Sequence, residues 1–139
     1  MKRKTENGQA MVEFALVLIP LLIILGGILD FGWIFGNIVI ANNASREAVR
    51  YAAINYHNVG VLYDYATFEG AVKLEADERI PNNITPSITV DSTVIINGEK
   101  AVKVTVEWNT EVFMPFYSKV LNPFPIKSET VMKTERITP

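Results

Sequence analysis

Glu13 is the residue whose type and position demand a chemical explanation. It belongs to Gly8-Gln9-Ala10-Met11-Val12-Glu13-Phe14 and stands on the lip of the uncharged run from Phe14 to Leu29, with Lys2-Arg3-Lys4 just upstream. An ionisable side chain in or beside hydrocarbon costs roughly 2.5–3.5 kcal/mol on insertion scales, so a carboxylate placed there needs a task and a partner. Other chemistry finds little to use. His57 is the single histidine and lies in a polar stretch, and the chain has no cysteine, so a thiolate metal site or a cysteine nucleophile is excluded. No serine elbow, metal-ligand spacing or Gly-rich phosphate loop is present. Glu75, Asp77 and Glu78 lack the glycine turn and ligand spacing of calcium loops and read as a solvated helix face. Asp30-Phe31-Gly32 spells a kinase tripeptide without any other kinase element. No catalytic residue, metal site or cofactor is expected. With a net charge of −2 and scattered basic residues, no nucleic-acid footprint is expected either.

The order glycine, four residues, glutamate, phenylalanine, then a leucine-rich helix resembles the type IV pilin-like precursors of the Flp/Tad (tight adherence) branch. The longer pattern is Gly8 to Leu18, then Pro20, Asp30-Phe31-Gly32, and Asn43-Ala44-Ser45-Arg46-Glu47-Ala48-Val49-Arg50-Tyr51-Ala52. It is similar to the TadE-like pseudopilins, closely over about the first 53 residues and only in layout beyond. The resemblance implies that a prepilin peptidase cuts between Gly8 and Gln9, making Glu13 the fifth residue of the mature chain. It implies as partners the other pilin and pseudopilin subunits, the Tad pilus membrane platform and the lipid bilayer. Such a cut leaves a free α-amine about one helical turn from the Glu13 carboxylate. Either charge alone is costly at the membrane boundary, whereas paired with each other, or with a neighbouring subunit's opposite group, they cancel. Glycine at the cut suits a backbone that must enter a protease cleft. The residues alone leave open a plain signal anchor in which Glu13 lies among cytoplasmic headgroups.

Lys2, Arg3 and Lys4 place the amino end in the cytoplasm and the carboxyl end outside by the positive-inside rule. A secretory signal would begin in the same way, but Ala41-Asn42-Asn43-Ala44 is a poor small-x-small site and the apolar segment is too long. The 16 residues from Phe14 to Leu29 give about 24 Å of helix against roughly 30 Å of hydrocarbon, so the span must borrow from Ala10–Val12 or from Phe31–Ile40. Pro20 predicts a kink or local loosening. Gly26, Asp30, Asn37 and Ala41 fall near one helix face, and Gly32-x-x-x-Gly36 adds a second close-approach pattern. This set is either a helix-packing surface, or Asp30 and Asn37 lie in the outer headgroups with Trp33 as aromatic anchor.

The helix is expected to run on to Ala53, about 60 Å from Phe14. Ala48, Tyr51 and Ala52 should face a core, and Glu47 should pair with Arg50 at i,i+3. After a loop at Asn55–Gly60, apolar residues at Tyr65, Phe68, Val72, Ala76 and Ile80 predict a second, amphipathic helix ended by Pro81. From Ser87 the period becomes two. Ile88, Val90, Val94 and Ile96 alternate with polar residues, as do Val102, Val104, Val106, Trp108 and Val112, with Asn97-Gly98 as the hairpin turn. A strict two-residue turn pairs Val94 with Ala101 and sets charged positions against apolar ones, which predicts an odd loop or a bulge beside Gly98. Pro115–Pro125 reads as a connection whose aromatics cap the core or form a contact surface. Ile126–Ile137 reads as a third strand.

The fold class is therefore α+β, a long N-terminal transmembrane helix continuing into a small pilin-like domain with a second helix and a three-stranded antiparallel sheet. Residues 1–8 form a cytoplasmic leader, 9–41 the transmembrane and assembly helix, and 42–139 an extracytoplasmic domain. The expected function is that of a single-pass minor pilin-like subunit of a Tad/Flp-type pilus in the cytoplasmic membrane, not an enzyme. The alternative is an unprocessed membrane-anchored binding or scaffold protein.

Overall fold

The computed structural model describes residues 3–60, 62 and 64–134. The chain is α+β: a long helix, a short one, and a three-stranded antiparallel sheet that carries a third small helix. Helix α1 spans Arg3–Asn55, 53 residues, or roughly 80 Å. It starts before the expected Phe14 because residues 9–13 are mostly good helix formers. Gln9 and Glu13 are also bonded at i,i+4, with Nε2 donating to Oε1 at 3.2 Å. The helix is unbroken through Pro20, where one backbone hydrogen bond is lost. A 3₁₀ turn at Tyr56–Asn58 follows.

Helix α2 spans Tyr65–Asp77, and its first turn is capped by Asp64, whose carboxylate accepts from Thr67 N at 2.9 Å. It stops short of the expected Ile80. Residues 78–80 tighten into a last turn, with Ile80 N donating to Asp77 O at 3.0 Å. Ile80 is nonetheless buried with Phe68, Val72 and Ala76, while Tyr65, expected on the same face, is exposed at the first turn. Glu47 pairs with Arg79 at the end of α2, N to O 3.8 Å, rather than with Arg50.

Strands β1 (Ser87–Ile96), β2 (Glu99–Thr110) and β3 (Phe124–Lys133) lie in the order β1-β2-β3. Any continuation of the last strand to Ile137, like the first two residues of the leader, lies outside the described residues. Asn97 and Gly98 both have positive φ, 52° and 80°, the signature of a tight type I′ hairpin turn. The turn is strictly two-residue and pairs Val94 with Ala101. The register is corrected elsewhere than expected, by a bulge in which Ser92 and Thr93 oppose Val102. Beyond it Val90 meets Val104 and Ile88 meets Val106, apolar on apolar. Asp91 holds the bulge, its Oδ1 accepting from Thr93 N at 2.9 Å and Thr93 Oγ1 at 2.6 Å.

Those hydrogen bonds, the hydroxyl's first and the amide's second, hold the Asp91 carboxyl below its ordinary value. Thr67 does the same for Asp64. A carboxyl depressed by folding contributes stability above its unfolded pKa, about 3.9, and loses it as pH falls through the lower folded value. The double variant Asp64→Asn, Asp91→Asn should therefore show a flatter decline of Tm between pH 5 and 2 than the parent. Parallel curves would refute this.

The core lies where α1 crosses the sheet. Ala41, Ala44, Ala48 and Ala52 are buried and let the helix approach β2 and β3 closely, while α2 packs Phe68 and Val72 from the side. One polar seam crosses this interface. Ser45 Oγ lies 2.8 Å from both Ser128 Oγ and Thr130 Oγ1, and Ser128 Oγ donates to Asn42 Oδ1 at 2.7 Å. Among the described residues no buried side-chain polar atom lacks a partner.

Candidate functional site

The inner part of α1 carries the Glu13 constellation, and among the described residues nothing from the rest of the chain covers it. Gly8, Gln9, Glu13 and Phe14 are exposed, and the space around Gly8 is open. Glu13 points back along its own face to Gln9, the residue whose amine a cut after Gly8 would free. From Met11 to Leu29 most apolar side chains are exposed, Phe14 at 68% and Leu29 at 67%. The segment Gly8–Asn58 is long and apolar enough to cross a membrane, and its most apolar 18-residue window has a mean hydropathy of 2.7 with only 6% buried. A core helix of a water-soluble domain would be covered along one face; this one is bare.

The six residues read as a packing surface divide into two sets. Gly26, Asp30, Asn37 and Ala41 are turned onto the chain's own sheet and the residues that lead into its third helix. That helix, α3, spans Pro115–Leu121 inside the segment expected to be an irregular connection, with proline at its start. Asp30 is only 5% exposed, and its two oxygens accept from consecutive backbone amides, Phe113 N at 2.9 Å and Met114 N at 3.0 Å. Gly26 lets Met114 approach, since a Cβ there would collide with the Met114 side chain. Beside it a Cβ on Gly27 would come within 3.0 Å of Tyr117 Oη, and the Tyr117 hydroxyl itself donates to Ile23 O at 3.3 Å. Gly32 and Gly36 are exposed and face open space.

Asn37 links two tryptophans. Its Nδ2 donates to Trp33 O at 2.9 Å, its Oδ1 accepts from Trp108 Nε1 at 3.3 Å, and Trp33 Nε1 donates to Thr110 Oγ1 at 3.0 Å. These side chains floor an open groove of about 800 Å³, where β2 runs on past the first residue of β1. Within the connection Tyr117 and Phe124 pack on the core, the capping expected of it, while Phe116 remains exposed, as does Phe113 just before it. Sequence reasoning missed Phe113, Met114 and Tyr117 as partners of α1. The adjacent glycines Gly26-Gly27, one turn before a carboxylate in an apolar helix, were the available signal that backbone or side chains must arrive there.

No curated protein and no solved structure matches the chain. A family model described as TadE-like protein matches residues 8–50, a span that begins at Gly8 and ends in the packed outer half of α1. Over those residues the chain is similar to the TadE-like family.

Proposed function

We propose that this TadE-like, Tad pilus-associated chain is a minor pilin-like subunit, anchored in the cytoplasmic membrane by the inner half of α1 and processed by a prepilin peptidase between Gly8 and Gln9. Residues 1–8 are then the leader, 9–41 the anchor and assembly helix, and 42–139 the outer domain, whose contacts reach inward along α1 to Ile23. Lys2, Arg3 and Lys4 keep the leader inside. The observation that carries the proposal is the bare inner half of α1 within the TadE-like span. A helix so apolar and so uncovered has two stable surroundings, lipid and the helices of other subunits, and a pilin-like subunit passes from one to the other. Gly8 lies within helical backbone, and glycine, about 1 kcal/mol worse than alanine in a helix, makes local unwinding into a protease cleft easier. Glu13 and Phe14 then stand at the new terminus, with Glu13 as counter-ion of the Gln9 amine. Partners are the peptidase, other pilin and pseudopilin subunits, and the pilus membrane platform.

The test is the intact mass and amino-terminal sequence of the chain from membranes of a host carrying the matching peptidase. A start at Gln9, lost when the peptidase is deleted or Gly8 is replaced by a bulky residue, is the expected result. Retention of residues 1–8 would leave an unprocessed anchored protein, and a cut well beyond Leu29 would mean a secretory signal.

A further inference from the structure

We infer that α3 and the residues leading into it form a foot immersed in the outer leaflet of the bilayer, in contact with lipid acyl chains. The inference rests on the membrane-anchor reading of α1 and adds a second element to it. About 30 Å of hydrocarbon takes about 20 helical residues, so a span that begins at Phe14 ends near Trp33. The foot packs on α1 between Ile23 and Asp30, roughly 5–15 Å inside that boundary at 1.5 Å per residue. A domain that stopped at the membrane surface could not reach those positions.

The surface of the foot suits that depth. Phe113, Phe116 and Val120 are 69%, 68% and 83% exposed. Phe113 and Met114 line, with Leu22, Leu25 and Leu29 of the bare face of α1, an apolar hollow of about 540 Å³. From Val112 to Ile126 the sole charged residue is Lys119, long enough to reach headgroups from a shallow position. Backbone entering hydrocarbon must find its hydrogen bonds internally, and much of this segment does. Asp30 takes the amides of Phe113 and Met114, and Tyr117 N and Ser118 N both donate to Met114 O. Asn122 brackets Val112, accepting from its N at 2.6 Å and donating to its O at 3.2 Å. The short apolar span is thereby completed: Asp30 lies within the hydrocarbon layer with its charge spent on two amides.

The cysteine-free chain allows single spin labels to be placed in the full-length protein, reconstituted at low density into phosphatidylcholine–phosphatidylglycerol vesicles. Labels at Phe116→Cys and Val120→Cys are compared with Ile24→Cys on the bare helix and Ile95→Cys beside the hairpin turn. The expected result is that collisions with oxygen exceed those with a polar nickel chelate severalfold at 116 and 120, as at 24, with the reverse at 95. Lipid-like behaviour at 24 with chelate access at 116 and 120 would overturn the foot alone. Exclusion of both reagents at 116 and 120 would also overturn it, by showing protein over the patch. Chelate access at 24 as well would overturn the anchor reading, and the foot with it.

Discussion

Asp30→Ala should unfasten the foot from α1 and cost about 2–4 kcal/mol, taking hydrogen bonds to a charged acceptor at about 1.5–3 kcal/mol each and allowing partial replacement by solvent. The size follows from geometry. Asp30 is buried and serves two consecutive amides, so truncation strands two donors at once. The stranded donors also precede α3, where Pro115 offers no amide of its own. Asp30→Asn keeps one carbonyl acceptor and should fall between the parent and the alanine variant. Two readouts separate detachment of the foot from general unfolding. Amide exchange at Phe113 and Met114 should accelerate well beyond that of the central β2 amides. Trp33 emission should change, because its ring stacks edge-on against Phe113 at 5.6 Å, while Trp108, buried in the core, should report only global loss. Unaltered exchange at 113 and 114 would show that the carboxylate does not hold the segment.

The layout was legible in the sequence wherever a signal is local and periodic. The face of α2 from Phe68 onward, the Asn97-Gly98 turn and the apolar alternation of β2 are each confined to a short stretch of chain, and burial follows them. The anomaly in the β1–β2 register was also legible, since a tight turn sets Ile96 against Glu99. Its location was not inferred, although Asp91-Ser92-Thr93 is an Asx-turn sequence that carries its own explanation. Non-local pairing is what sequence reasoning could not supply. Asp30 is recognisable as a costly carboxylate, but its partners are amides more than eighty residues away, and amides leave no mark in composition. The seam of Ser45, Ser128 and Thr130 is hidden for the same reason: serine and threonine read as solvent-facing until the helix is laid across the strand. Helix α3 was concealed by its three flanking and internal prolines, although Pro115 at a first helical position is itself a start signal.

Glu13→Ala should leave the isolated subunit intact and reduce its recovery in assembled form by roughly 100-fold or more, the scale expected when one member of a desolvated ion pair is removed. The outer domain makes no hydrogen bond to α1 inward of Ile23 among the described residues, so Tm and Trp108 emission should match the parent. Membrane insertion should improve slightly, because a charge at the hydrocarbon boundary is gone. The loss must therefore come from contacts between subunits. The proposed cut at Gly8 places a new amine on Gln9, the residue one helical turn before Glu13 whose side chain already bonds the Glu13 carboxylate. Blocking the cut with a bulky residue at Gly8 removes the amine and leaves the carboxylate without its counter-ion, the same defect reached from the other side. If amine and carboxylate act as one pair, the double variant should assemble no worse than either single variant. Fully additive losses would mean two independent roles, and normal assembly of Glu13→Ala would leave the anchor and the foot in place while removing the pairing from the mechanism.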